Sequence, residues 1–128
     1  MCAVAVTNLT LVRDTLKDRV LDAATADVAN TPEVFTITPT KGQDKMIIEI
    51  EVADTNGPVA VSLGAGVQYW ASAALAWSCP QAKTTIMHVS DIARFMTTAS
   101  TILLTLTPAS GKKLLTDHAA KVGVIELP

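Results

Sequence analysis

Aromatic side chains are scarce in this sequence: two phenylalanines, two tryptophans and one tyrosine make up 4% of its 128 residues. Charge is scarce too, at 17% Lys, Arg, Asp and Glu with a net charge of -2. The longest basic run is the pair Lys112-Lys113. Nucleic-acid-binding modules show a basic stripe, commonly with aromatics interleaved for stacking. This composition therefore argues against a nucleic-acid partner and against electrostatic steering of a ligand. Cysteine is limited to Cys2 and Cys79, a spacing that makes neither a metal motif nor a disulfide framework. Folding in a reducing cytoplasm is the simplest account. Residues 1–6 are apolar but lack the basic start and cleavage site of a secretion signal. The longest apolar stretch, residues 67–79, contains Gln68, Ser72 and Ser78 and is too short to span a bilayer. The sequence thus predicts no membrane segment.

Reactive chemistry is equally thin. His88 and His118 are the only side chains that ordinarily titrate near neutrality. A metal site would need a third ligand such as Asp91 or Asp117; two ordinary polar histidines is the simpler reading. Ser, His and Asp occur, but no motif gathers them into a nucleophilic site. Gly64-Ala65-Gly66 lacks the third glycine of a dinucleotide fingerprint, and Ser110-Gly111-Lys112-Lys113 lacks the upstream glycine of a phosphate loop. Glu49 and Glu51 share one strand face about 7 Å apart, and read as the solvated side of a sheet. The expectation is a chain without catalytic residues, cofactor or metal.

What the chain has in quantity is apolar surface. Hydrophobic residues make up 49% of the sequence and its mean hydropathy is positive. A chain of this length can build a core unaided. The excess suggests apolar groups on surfaces that another subunit covers, although many Ala and Val residues also raise the average.

From Glu33 onward the apolar pattern has period two. Phe35 and Ile37 alternate with Thr36 and Thr38. Met46, Ile48, Ile50 and Val52 face one way, and Lys45, Glu49 and Glu51 the other. Residues 41–44 and 54–58 read as turns, the second because Asn56-Gly57 accepts positive φ and Pro58 fixes the exit. Val59, Val61 and Leu63 continue the inward row, so residues 46–63 are expected to form a hairpin or near-hairpin. Residues 67–79 read as an irregular excursion or a strand-loop-strand, 84–89 as a strand and 90–95 as one helical turn or a bend. Ile102, Leu104 and Leu106 form one face of a strand. Residues 113–115 suggest a short strand and 122–127 a closing one.

Before Glu33, residues 3–12 look like a strand. Leu16, Val20, Leu21, Ala24 and Val28 then fall near helical spacing behind a possible cap at Asp14 or Thr15, so a short helix and an extended arm both fit. The fold expected is an all-β, antiparallel β-sandwich or jelly-roll-like domain. Residues 1–32 would supply an N-terminal strand and arm, and residues 33–128 the sandwich core.

Tyr69, Trp70 and Trp77 are clustered in a glycine-bounded segment. They could anchor a protein interface, fill the space between two sheets, or form a sugar-stacking platform. With Leu16 and Val20 of the arm they are the candidate interface residues.

The order of features resembles the small head decoration (capsid-cementing) proteins of tailed bacteriophages. The resemblance runs from about Leu9 to Leu127. It is carried by Asn8-Leu9-Thr10, the strand Lys45-Met46-Ile47-Ile48-Glu49-Ile50 and the turn Thr55-Asn56-Gly57. The strand of residues 59–63 with Gly64-Ala65-Gly66, the run Ser90-Asp91-Ile92-Ala93-Arg94-Phe95, and the closing Leu127-Pro128 complete it. The chain departs from the pattern after Phe95, where residues 96–100 replace a glycine-containing loop. The resemblance implies a β-sandwich virion subunit, made in the bacterial host cytoplasm and placed on the capsid exterior. It further implies binding to the major capsid protein and self-association as a homotrimer, with no catalytic residues. A carbohydrate-binding β-sandwich module and a tail or head-fibre component are the competing readings.

Overall fold

The computed structural model describes residues 2–13, 15–40, 45–67 and 74–128. Among these residues ten strands follow one another: β1 (Cys2–Ala5), β2 (Asn8–Thr10), β3 (Asp22–Ala23), β4 (Glu33–Ile37), β5 (Met46–Val52), β6 (Val59–Leu63), β7 (Leu75–Cys79), β8 (Lys83–Val89), β9 (Ile102–Thr107) and β10 (Ala120–Glu126). A single turn of 3-10 helix, Ile92–Phe95, lies between β8 and β9. The strands form two five-stranded sheets: β1-β4-β9-β6-β7, and β2-β10-β5-β8 with β3 also paired to β10.

The inward rows read from the sequence are the rows that meet between the sheets. Phe35 and Ile37, Val59, Val61 and Leu63, and Ile102, Leu104 and Leu106 face Met46, Ile48, Ile50 and Val52, with Val122 and Val124 beside them. All of these are buried. An aliphatic side chain taken from water in this way contributes about 1.5–3 kcal/mol, so the facing rows are the main stabilising element. The fold is thus the expected all-β sandwich.

The connections differ from the expected ones. β5 and β6 do not form a hairpin: β5 pairs with β10 and β8 in one sheet, while β6 pairs with β9 and β7 in the other. The turn between them is an arch that carries the chain across the core. Gly57, at φ 99°, makes its bend, and its N–H donates to Gln81 Oε1 at 2.7 Å. Period-two patterning shows which face of a strand is buried but not which neighbour it pairs with, so a crossing arch and a hairpin look alike in sequence. Among the described residues, β6 and β7 are the one pair of successive strands that are hydrogen-bonded to each other.

The sheets are also mixed, because β1 runs parallel to β4 and β2 parallel to β10. The expected single strand over residues 3–12 is split between them, β1 joining one sheet and β2 the other. Residues 113–115 form no strand, and 114–118 are a run of turns. The Asp117 carboxylate accepts from Lys113 N–H at 2.8 Å, and the Asp117 and Ala119 N–H groups reach back to the Lys113 and Leu115 carbonyls. These local bonds close the segment on itself and leave Leu114 pointing into the core.

Residues 15–32 contain no helix. They form an extended arm that touches the outer face of the second sheet and pairs briefly as β3 with Lys121 and Val122. The crossing point is specific. Gly123 of β10 lies opposite Glu49 of β5. A Cβ at Gly123 would stand 2.5 Å from the Leu21 side chain and 2.8 Å from the Val20 carbonyl oxygen. Beside it Arg19 Nε and its terminal nitrogen reach Glu49 Oε2 at 2.8 and 2.7 Å. Glu49, expected on the solvated face, is therefore 6% exposed.

Replacing Gly123 by Ala should lift the arm. We expect faster tryptic cleavage after Lys17 and Arg19, and a loss of roughly 1–3 kcal/mol in urea unfolding, the usual range for overpacking a fitted site. Cleavage at the wild-type rate would show that the arm does not depend on the missing Cβ.

Candidate docking surface

Among the described residues three carboxylates are buried, and each meets donors from outside its own strand. Glu33 begins β4 in phase with Phe35 and Ile37 and is fully buried. Its oxygens accept from the Thr25 N–H at 2.9 and 3.1 Å, from the Ala26 N–H at 3.0 Å and from the Thr25 hydroxyl at 2.5 Å. Glu126 ends β10 in phase with Val122 and Val124 and is 1% exposed. It accepts from the Thr40 N–H and hydroxyl, and from Asn8 Nδ2. Glu49, with Arg19, is the third. A buried carboxylate is costly unless its lone pairs are met, and here residues of the N-terminal segment meet many of them. These sites bind the chain to itself.

His118 differs, because among the described residues its Nδ1 has no hydrogen-bond partner. It is fully buried, its Nε2 accepts from the Ala109 N–H at 3.1 Å, and its carbonyl accepts from the Ala53 and Asp54 N–H groups. The ring is therefore neutral, with its proton on Nδ1. Burial pushes its pKa below the usual 6.5, and Lys112 adds to that, while Asp117 and Asp54 pull the other way. Asp117 is engaged with Lys113, so the two do not form a shared ligand set. Among the described residues no group of three His, Cys, Asp or Glu is placed to hold a metal ion. His88, on β8, is exposed.

The opening in the sandwich is on the side where each sheet ends. β7 is the last strand of one sheet and β8 the last of the other. The short corner through Pro80, Gln81 and Ala82, with Ala82 at φ 56°, joins them. Away from the corner, no described residue closes over the two edges. Leu75 and Trp77 from β7, and Thr85 and Met87 from β8, point inward yet are only half-buried. With Ile86 they line a groove of about 260 Å³. At its corner end Cys79 is buried, its thiol hydrogen-bonded with Thr85 and Trp77. Burial raises the thiol pKa, against a smaller opposing effect of those bonds, so Cys79 is an inert packing group. The groove offers one hydroxyl and otherwise hydrocarbon, ring and thioether surface, a lining that suits apolar side chains.

Of the candidate interface residues, Trp77 lies in this groove. Leu16 is 99% exposed on the arm, an unusual state for a leucine. Val20 is half-buried where the arm meets Gly123. Tyr69 and Trp70 lie outside the described residues. Sequence reasoning passed over Ile86, which is 65% exposed, and over Glu33, Glu126 and the Arg19–Glu49 pair. Glu33 and Glu126 carried a legible signal, since each continues an apolar inward row. Glu49 did not, because its cover comes from a distant segment.

Comparison of the chain with protein-family models, with curated proteins and with solved structures finds no match.

The histidine gives a pH dependence with a definite sign. Its folded-state pKa is below the unfolded value near 6.5, so folding favours the neutral ring. That contribution is fully present above the unfolded value and is lost as pH falls through the lower folded value. Unfolding free energy should therefore drop between pH 7 and pH 5, and His118→Gln, which keeps an acceptor for Ala109, should show a shallower drop. Equal slopes would mean that His118 is not responsible.

Proposed function

We propose that this chain is a non-enzymatic virion structural protein that decorates a bacteriophage capsid and stabilises it by binding the outer surface of the major capsid protein. The observation that carries the contact part of this reading is apolar surface left within reach of a partner on a sandwich whose buried carboxylates are met by its own donors. Leu16 projects from the arm, and Leu75, Trp77, Ile86 and Met87 line the open groove. The capsid as partner comes from the resemblance in residue order described above.

The physics of cementing fits such a molecule. A subunit that binds the assembled shell but not its separated coat subunits shifts the equilibrium toward the shell by its binding free energy. Each contact can be small, because a subunit held by several neighbours gains from effective concentration. Apolar side chains on a stiff framework supply such contacts with little ordering cost. A homotrimer, with copies grouped around a local threefold axis of the shell, is part of this proposal. The location follows from it: the virion, on the exterior of the capsid, after synthesis in the bacterial cytoplasm.

The test is sedimentation of the purified protein with expanded capsids prepared without it. Co-sedimentation with the shells, together with greater resistance of the decorated shells to rupture by heat or osmotic shock, supports the reading. Leu16→Ser, at a fully exposed position, should lower occupancy several-fold while leaving the circular dichroism spectrum unchanged. A protein that stays in the supernatant and leaves rupture unaffected overturns it.

A further inference from the structure

β8 is the more exposed of the two strands that flank the groove. It runs for seven residues, Lys83–Val89, and among the described residues pairs on one side only, with β5. Among the described residues nothing pairs with its other side, whose backbone N–H and C=O groups run along a length of about 23 Å. Folded proteins usually protect such an edge with proline, a bulge, an inward charge or a covering segment, because it is a template for another strand. β8 contains no proline and no glycine, and its single Lys or Arg stands at its first position. Its inward residues Thr85 and Met87 are half-buried, and Ile86 faces outward at 65% exposure.

We infer that β8 pairs antiparallel with β8 of a second copy across a twofold axis at Ile86, extending the β2-β10-β5-β8 sheet into a continuous sheet of two molecules. The sequence of the strand is compatible with itself in this register and not in the parallel one. About Ile86 the antiparallel arrangement sets Ile86 against Ile86, Thr85 against Met87, Thr84 against His88 and Lys83 against Val89. The two Ile86 side chains then cover each other on the outer face. The two Lys83 charges fall about 20 Å apart, beyond the screening length of about 8 Å at physiological salt. Parallel pairing would instead stack Lys83 on Lys83, and like charges directly opposite each other are destabilising. A twofold contact of this kind closes on itself and does not propagate into fibres.

The size of the contact sets its strength. One strand pair with its flanking side chains buries well under the roughly 1,200 Å² of a stable standard interface. The isolated dimer should therefore be weak and concentration-dependent, and would strengthen where other contacts hold copies side by side. The inference does not depend on the capsid reading. If copies do group in threes, this twofold contact links one group to the next.

The test is a register-specific cross-link, made in a Cys2→Ser background; buried Cys79 is left in place. Ile86→Cys and Thr84→Cys each put a thiol on the same exposed face of the same strand. Twofold pairing sets the two 86 positions opposite each other, about 4.5–5.5 Å apart at Cβ, and separates the two 84 positions by about 13 Å. Under mild oxidation at high protein concentration we expect disulfide-linked dimers from Ile86→Cys at least tenfold faster than from Thr84→Cys. Ile86→Lys, on the unlinked protein, should shift sedimentation equilibrium toward the single copy without changing the thermal midpoint. Equal cross-linking at the two positions, no cross-linking at either, or self-association that Ile86→Lys leaves unchanged would each overturn the inference. None of these outcomes bears on whether the protein binds capsids.

Discussion

Burying a carboxylate is the constraint around which the rest of this molecule is arranged. Glu33 and Glu126 stand at the end of an inward-facing row, where the strand pattern places a side chain that belongs to the core. Their charge can be tolerated there only if donors come to them. The donors come from elsewhere in the chain: Thr25 and Ala26 to Glu33, and Asn8 and Thr40 to Glu126. Arg19 on Glu49 adds a third link, weaker because the arginine is 47% exposed and its charge is screened by water. Together these carboxylates convert a polar N-terminal segment with little helix or strand of its own into part of the fold. The apolar core supplies most of the free energy, and the carboxylates decide where the arm lies.

This division explains what could be read from the sequence. The buried rows of β4, β5, β6, β9 and β10 follow from alternation alone, as does the all-β class, because a period of two allows one buried face per strand. Pairing does not follow in the same way. The segment from Met46 to Leu63 satisfies a hairpin as well as an arch, and only the positions of β8, β9 and β10, brought from distant parts of the chain, choose the arch. Residues 15–32 satisfy helical spacing nearly as well as they satisfy nothing. The arm wins there because Glu33 and Gly123 offer it contacts that a helix would forfeit. The groove was half legible. Trp77 drew notice as an aromatic, whereas Ile86 and Met87 looked like ordinary strand residues until β8 proved to be an edge.

The same arrangement gives the proposed role its physical basis. A cementing or bracing protein needs a shape that does not yield, with contact groups held on it. The carboxylate links and the double-sheet core provide the first. Leu16 and the groove between β7 and β8 provide the second. Cys79 and His118, the two side chains most suggestive of chemistry, are both buried, and burial favours the neutral form of each.

The most direct test of the central claim is residue-resolved hydrogen exchange on the wild type and on Glu33→Gln. Gln keeps the size of the side chain but turns an NH₂ group toward N–H donors. The account predicts that the Thr25 and Ala26 amides are protected in the wild type. In the variant they should exchange at least tenfold faster, while the amides of β5 and β10 keep their protection. Unchanged protection at Thr25 and Ala26, or an equal loss throughout the sandwich, would contradict it.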